Sequence, residues 1–176
     1  KDVGKDVFHP SVTITDDPWF TDRFGWAPFD REGTPTKSLC LVEKGKIANF
    51  LFDSYAAKAL KRNSTGHAVG GPSSLPAVSP HCLNVGPGET PLLALTTKYS
   101  KSQKEFLWAD RFSGQVNPVT GDFSGVAKAA QWWSGGEFSH TVTETLISGN
   151  LFEVFGKSLL DLSKETWVVN CSEALP

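Results

Sequence analysis

Two apolar runs around a glycine-containing turn place the firmest constraint on the fold. Residues 39–42 are apolar, as is the run 47–52 apart from Asn49, and the four residues between the two runs read EKGK, with glycine at position 45. Glycine supplies the positive φ that a tight turn between two strands requires. The pattern therefore predicts a β-hairpin, so part of this chain forms an antiparallel sheet.

Short helices are predicted after this hairpin. Residues 54–62 favour a helix, because Asp53 or Ser54 can serve as its N-cap and its far end is basic. Residues 90–97 are a second candidate. The apolar positions between residues 149 and 162 are spaced like one face of a helix.

The remaining chain favours strands and loops, and it shows neither a βαβ rhythm nor an internal domain boundary. The Gly-, Ser- and Pro-rich stretch 63–80 is expected to be a loop. Strands are predicted at 12–15, 105–110, 122–133 and 137–143, the last two joined by a turn at 134–136, and at 165–171. The expected class is α+β, with a mainly antiparallel sheet, hairpins and a few short helices.

Composition excludes several classes of protein. The chain has 17 Lys and Arg against 19 Asp and Glu, a net charge of −2, and no basic cluster, which argues against nucleic-acid binding. No apolar run reaches the roughly 18–20 residues that cross a membrane. Three widely spaced cysteines fit a reducing compartment, so we expect a cytoplasmic protein. The absence of methionine suggests a part of a longer protein.

No metal site is indicated by residue spacing. The candidate ligands show no Cys-x-x-Cys pair and no two histidines within helical reach. A site assembled from distant residues is the alternative, but isolated residues of these types are more often structural. The candidates are His9, His67, His81, His140, Cys40, Cys82 and Cys171.

A hydroxyl and an imidazole lie close together in the segment Ser64-Thr65-Gly66-His67. This turn could present backbone amides and His67 to a peptide. Alternatively, its hydroxyls satisfy the backbone of a tight turn, which the residues alone favour. The acidic pairs Asp16-Asp17 and Asp30-x-Glu32 are interpreted in the same way, as caps of turns. The residues alone therefore identify no active site.

Five segments, in order, resemble the C-terminal domain of the PmbA/TldD family, which was named historically for modulators of DNA gyrase. Each segment is a weak signal by itself, but together they extend over nearly the whole chain. They are TITDDPWFTDRFGWAPFDREG at 13–33, LVEKGKIANFLFDSYAAKAL at 41–60, NSTGHA at 63–68, VNPVTGDFS at 116–124 and ISGNL at 147–151.

The resemblance implies a cytoplasmic, two-domain protein that works in a complex of two related subunits. The TldD-like subunit carries His-Glu-x-x-x-His and a cysteine near the C-terminus as zinc ligands, and the assembly degrades unfolded peptides or trims leader peptides. The PmbA-like subunit, also called TldE, lacks the metal site. This chain contains no His-Glu-x-x-x-His, and its STGHA and TGDFS segments are more similar to the PmbA side.

The resemblance therefore implies a non-catalytic subunit, with no cofactor of its own and zinc in the TldD-like partner. A homo-oligomer is the other partner expectation, alongside a peptide substrate and no nucleic acid or membrane. Two loops are then expected to line the peptide channel or the subunit interface. They comprise Ser64, Thr65, Gly66 and His67, and Asn117, Thr120, Gly121 and Asp122.

Two other interpretations stay open. In the first, the chain is a fragment of the catalytic TldD-like subunit and Cys171 is a zinc ligand. In the second, it regulates gyrase or contacts DNA, against which the near-neutral charge argues.

Overall fold

The computed structural model of the protein describes residues 2–20, 26–102, 105–135 and 137–168. The chain divides into two compact units, and the second comprises residues 87–166. Both units contain antiparallel sheets and short helices, which confirms the α+β class. None of the helices in these ranges has the length and apolarity needed to cross a bilayer.

The first unit is built on a four-stranded sheet in the order β3-β2-β1-β6. Its central strand β1 pairs antiparallel with both β2 and β6, and β4 pairs with β5 in a separate two-stranded ribbon. The elements are β1 Ile14–Asp16, β2 Leu39–Glu43, β3 Lys46–Ile47, α1 Ser54–Ala59, β4 Ala68–Val69, β5 Ala77–Val78 and β6 Leu83–Val85.

The β2–β3 hairpin confirms the strongest sequence prediction. Gly45 has φ +81°, and a Cβ there would lie 2.9 Å from the carbonyl oxygen of His9, so the turn requires glycine. The second strand is shorter than predicted, since β3 ends at Ile47. The backbone N–H of Ala48 still donates to the Leu41 carbonyl at 2.8 Å, and the side-chain amide of Asn49 donates to the Cys40 carbonyl at 2.7 Å.

Helix α1 begins as the sequence predicts. The Asp53 carboxylate accepts a hydrogen bond from the backbone N–H of Ala56 at 2.7 Å, which satisfies one of the free amides of the first turn. Ala57 is buried on the inner face of the helix. The stretch 63–80 is mostly loop as expected, but it contains the short β4–β5 ribbon.

The described residues of the second unit form six strands in two three-stranded sheets, with orders β11-β10-β7 and β12-β9-β8. The elements are α2 Leu92–Ser102, β7 Glu105–Trp108, β8 Arg111–Val116, β9 Asp122–Lys128, β10 Ala130–Ser134, β11 Glu137–Val142, β12 Thr145–Asn150 and α3 Leu151–Val154. The predictions of a helix near 90–97 and of strands near 105–110 and 137–143 are confirmed.

The predicted strand 122–133 is in fact two strands. Ala129 has φ +51° and separates β9 from β10, and Glu144, with φ +33°, lies between β11 and β12. Ala130 pairs with Val142 in one sheet and Ala127 pairs with Thr145 in the other. Residues 122–150 thus form one long hairpin, which bends at these two positions and contributes two strands to each sheet.

The predicted helix 149–162 is largely wrong. Residues 145–150 pair with β9 as strand β12, and the helix α3 covers only Leu151–Val154. Asn150 starts that helix by accepting from the N–H of Phe152, and Gly156, a poor helix former, follows it closely. The strand predicted at 165–171 is absent from residues 165–168, and residues 169–171 lie outside the described ranges.

Candidate functional site

The first cluster of candidate site residues is centred on a buried hydrogen bond between the side chains of Asp16 and His67. The Nε2 atom of His67 lies 2.8 Å from Oδ2 of Asp16, and both side chains are completely buried. Asp16 also accepts hydrogen bonds from the backbone N–H groups of His81, at 3.0 Å, and Cys82, at 2.6 Å. One carboxylate thereby joins the end of β1 to residues 67 and 81–82, which are distant in sequence.

The second nitrogen of His67 is also occupied. Its Nδ1 atom lies 2.8 Å from the hydroxyl oxygen of Thr65. That oxygen accepts from the backbone N–H of Phe52 at 2.7 Å, and Ser64 donates to the Phe52 carbonyl. The hydroxyls therefore satisfy the backbone, as the structural interpretation of this turn predicts.

His81 packs over His67, with their ring centroids 5.1 Å apart. Its Nε2–H donates to the carbonyl of Gly66 at 2.8 Å, so this ring too is bonded to the 64–67 turn. Gly66 has φ +77°, and a Cβ there would lie 2.7 Å from the Pro35 carbonyl oxygen. The turn 64–67 is therefore held in place by close packing of Gly66 against the backbone of Pro35 and by hydrogen bonds of two imidazoles.

Burial and hydrogen bonding act in opposite directions on Asp16. Burial raises the pKa of its carboxyl, but the hydrogen bonds from His67, His81 and Cys82 outweigh it and lower the pKa below its ordinary value of 3.8. The ionised carboxylate is therefore the form that the folded protein stabilises.

This lowered pKa predicts an acid-sensitive fold. Because the folded-state pKa of Asp16 lies below the unfolded value of 3.8, its contribution is present above that pH and is lost as the pH falls through the folded pKa. We expect the denaturant midpoint to be flat from neutral pH to mildly acidic pH and to fall below pH 3.8. Asp16→Asn should flatten that acid limb, and an unchanged acid limb in this variant would contradict the assignment.

The FDREG segment at 29–33 forms a second set of contacts in the same unit. Asp30 is buried, and its carboxylate accepts from the N–H groups of Glu32 and Thr34 at 2.9 Å and of Ala68 at 3.0 Å. Glu32 accepts from the N–H of Ser54 at 2.8 Å and from its hydroxyl at 2.6 Å. Asp30 caps the turn as predicted, whereas Glu32 bonds to the distant Ser54, and together the two residues connect α1 to the start of β4.

The second cluster lies in the second unit, around the loop 117–122. The side-chain oxygen of Asn117 accepts from the N–H groups of Val119 and Thr120, and the hydroxyl of Thr120 donates to Asp122 at 2.7 Å. Gly121 has φ +78°, and a Cβ there would lie 2.7 Å from the ring of Phe152. The VNPVTGDFS segment is thus a compact turn between β8 and β9.

Asn150, from the ISGNL segment, ties this turn to α3. Its amide donates to the Thr120 carbonyl at 2.9 Å and to the Asp122 carboxylate at 2.8 Å. The hydrogen bonds from Asn150 and Thr120 lower the pKa of Asp122, which is exposed to solvent. The two family-like segments therefore form one structural unit, with an exposed carboxylate at its edge.

Most candidate metal ligands are separated in the described parts of the chain. Within residues 2–20, 26–102, 105–135 and 137–168, no group of three or more His, Cys, Asp or Glu side chains is arranged to hold a metal ion. His9 bonds to Ser11, and His140 to Ser139. Cys40 and Cys82 are free thiols. Cys171 lies outside the described residues.

The partnership of Asp16 with His67 was not predicted from the sequence. The two residues are 51 positions apart, and no local spacing indicates such a pair. The DDP and TGH segments indicate turns, but neither segment indicates that its Asp or His pairs with a distant residue.

Comparisons with known proteins agree with the segments found in the sequence. Residues 1–173 match the model of the PmbA/TldA metallopeptidase C-terminal domain. A metalloprotease PmbA homolog of Haemophilus influenzae is 34% identical over 157 residues, which is 89% of this chain and 32% of the relative. The chain spans about a third of the length of the curated relatives it matches.

Two solved structures share the fold. TldE from Thermococcus kodakarensis superposes with a TM-score of 0.74 and 25% identity, covering 88% of this chain and 35% of that one. A Thermotoga maritima protein named for modulation of a DNA gyrase gives a TM-score of 0.76 and 28% identity, covering 93% of this chain and 38% of that one.

Proposed function

The chain belongs to the PmbA/TldD family and matches its C-terminal domain, and from this premise we propose that it is the non-catalytic, PmbA/TldE-like part of a cytoplasmic zinc metallopeptidase complex. In this proposal the complex degrades unfolded peptides or trims leader peptides. The similarity to a PmbA homolog and to a TldE structure supports the assignment to this side of the family.

The observation that carries the proposal is that the His67 side chain is used entirely in hydrogen bonds within the domain. Both ring nitrogens are hydrogen-bonded, one to Asp16 and one to Thr65, and the side chain is completely buried. A metal ligand or general base needs a free nitrogen within reach of a ligand or substrate. His67 instead holds the turn 64–67 in place, which suits a residue that shapes a surface for another subunit.

The described residues do not fit a zinc site. His67 is bonded through both nitrogens, His81 donates its Nε2–H to the Gly66 carbonyl, and no group of three or more His, Cys, Asp or Glu side chains in these ranges could hold a metal ion. We therefore derive no hydrolytic step for this domain and assign zinc to a TldD-like partner.

The two loops would contribute to the peptide channel or to the subunit interface. The first comprises Ser64, Thr65, Gly66 and His67, where the half-buried hydroxyls and the buried imidazole would act by holding the backbone. The second comprises Asn117, Thr120, Gly121 and Asp122, where Asp122 offers an exposed carboxylate with a lowered pKa. An ionised carboxylate at such a place can accept hydrogen bonds from the N–H groups of an extended peptide.

A reconstitution experiment tests the proposal. The full protein that carries this domain is mixed with the TldD-like subunit from the same genome, and cleavage of an unstructured fluorescent peptide is followed with zinc present. We expect the mixture to cleave at least about tenfold faster than either protein alone, a difference of about 1.4 kcal/mol in the barrier.

Cys171 separates this proposal from the catalytic alternative. The Cys171→Ser variant should leave the activity of the mixture unchanged, because the zinc belongs to the partner. Cleavage by this protein alone, abolished by Cys171→Ser, would overturn the proposal and identify a catalytic subunit.

A further inference from the structure

Helix α2 of the second unit has a low intrinsic tendency to be helical. Four of its eleven residues are Thr or Ser, which form helices less readily than Ala, Leu or Lys. Isolated helices of this length are marginal in water, so most of their stability in a protein comes from tertiary contacts. The persistence of α2 therefore depends on what holds it within its unit.

The packed face of α2 is small. Leu95 and Ser100 are its only buried residues, and Leu92, Thr96 and Tyr99 are half-buried. The hydroxyl of Thr96 donates to the Leu92 carbonyl at 2.8 Å and that of Ser100 to the Thr96 carbonyl, so both bonds stay inside the helix. Among the described helices and strands, none makes an extensive contact along α2. Apolar burial accordingly contributes little to its docking.

The segment 161–165, here called the strap, fastens the residues that lead into α2. The backbone N–H of Gly88 donates to the Ser163 carbonyl at 2.8 Å, and that of Lys164 donates to the Thr90 carbonyl at 2.9 Å. Residues 90 and 163 form a parallel bridge. The strap thus pairs with the chain immediately before the helix.

Two carboxylates of the strap reach the helix itself. Glu165 accepts a hydrogen bond from the N–H of Leu92, the first residue of α2, at 2.8 Å across 73 positions of sequence. The first turn of α2 has no acidic residue of its own, so Glu165 supplies the negative charge that a helix N-terminus favours. Asp161 lies 3.3 Å from Nζ of Lys98, a largely exposed ion pair of the kind that contributes little. Glu165 is therefore the principal contact between the strap and the helix.

We propose that α2 opens separately from the two sheets of the second unit, and that Glu165 of the strap controls how often it opens. Elements with few buried apolar contacts open locally at a lower free energy than the whole domain unfolds. The sheet β12-β9-β8 is held differently, because β9 pairs along its length with both neighbours. Opening of α2 makes the buried side chain of Leu95 accessible while these strands stay paired.

Hydrogen exchange of the full protein, followed by mass spectrometry of peptides covering α2 and β9, tests this device without any partner subunit. In the wild type, the amides of α2 should exchange at least about tenfold faster than those of β9. Glu165→Ala removes the cap and should accelerate exchange in α2 by a further three- to tenfold or so, roughly the cost of losing an N-cap, with β9 unchanged within about twofold. Glu165→Gln keeps an acceptor oxygen but loses the charge, and should accelerate α2 by roughly two- to fourfold.

Glu137→Ala is the matched control, because Glu137 is an exposed acid of the same unit that lies on β11. It should leave the exchange of both peptides within about twofold of the wild type. Equal acceleration of α2 and β9 in Glu165→Ala would overturn the proposal, since α2 would then open only when the unit unfolds. Unchanged exchange of α2 in that variant, or wild-type α2 amides as slow as those of β9, would overturn it as well.

Discussion

Replacing Asp16 with Ala is expected to lower the free energy of unfolding by about 3–5 kcal/mol, since three hydrogen-bond donors lose their acceptor at about 1–3 kcal/mol each. The change leaves the buried Nε2 atom of His67 and the half-buried N–H groups of His81 and Cys82 without their acceptor. Unfolding in urea, followed by tryptophan fluorescence at neutral pH, measures the difference.

Asp17→Ala is the control for this prediction. Asp17 is the adjacent acidic residue, and its side chain accepts only the N–H of Trp19 among the described hydrogen bonds, at 3.2 Å. Its removal should cost about 1 kcal/mol or less. If Asp16→Ala and Asp17→Ala have the same midpoint, the buried carboxylate does not hold the three segments together.

A single methyl group at position 125 should also destabilise the protein strongly. Gly125 of β9 pairs with Gly114 of β8, and a Cβ at Gly125 would lie 2.5 Å from the Cα of Gly114 and 2.5 Å from the Ser113 carbonyl oxygen. The ring of Phe112 closes the remaining space, with an atom 2.7 Å from that Cβ. The two strands must therefore separate to accept Gly125→Ala.

We expect Gly125→Ala to cost about 2–3 kcal/mol, as overpacking of a close contact does, and to lower the melting temperature by about 5–10 °C. Gly71→Ala serves as the control, since nothing lies within 4 Å of a Cβ at Gly71. Its melting temperature should stay within about 2 °C of the wild type. Equal melting temperatures for the two variants would show that β8 and β9 can move apart freely.

Local signals in the sequence were sufficient for the elements whose boundaries depend on one residue. The β2–β3 turn needs Gly45, and α1 needs the Asp53 cap, so both were predicted correctly. The helical spacing of residues 151–160 was misleading. The start of the predicted helix, at 149–150, belongs instead to strand β12, whose pairing with β9 depends on partners 18 to 28 positions away.

The candidate site was predictable only as a set of turns. The cap made by Asp30 follows from local spacing, because a carboxylate readily accepts N–H groups two to four residues ahead, whereas the bond from Ser54 to Glu32 crosses 22 positions. The pairing of Asp16 with His67 depends on how β1, β6 and the 64–67 turn come together. No spacing rule contains that information, and the resemblance to a family identified the segments without their contacts.

The bent hairpin of residues 122–150 has a consequence for folding kinetics. Its strands β9 to β12 follow one another through short connections, so its pairs close loops of at most about 30 residues. The first unit instead has to bring Cys82 to Asp16, 66 positions away, before its central strand is complete. The entropic cost of closing these loops is therefore smaller in the second unit. We expect its strands to pair early in folding and the sheet around Asp16 to form later.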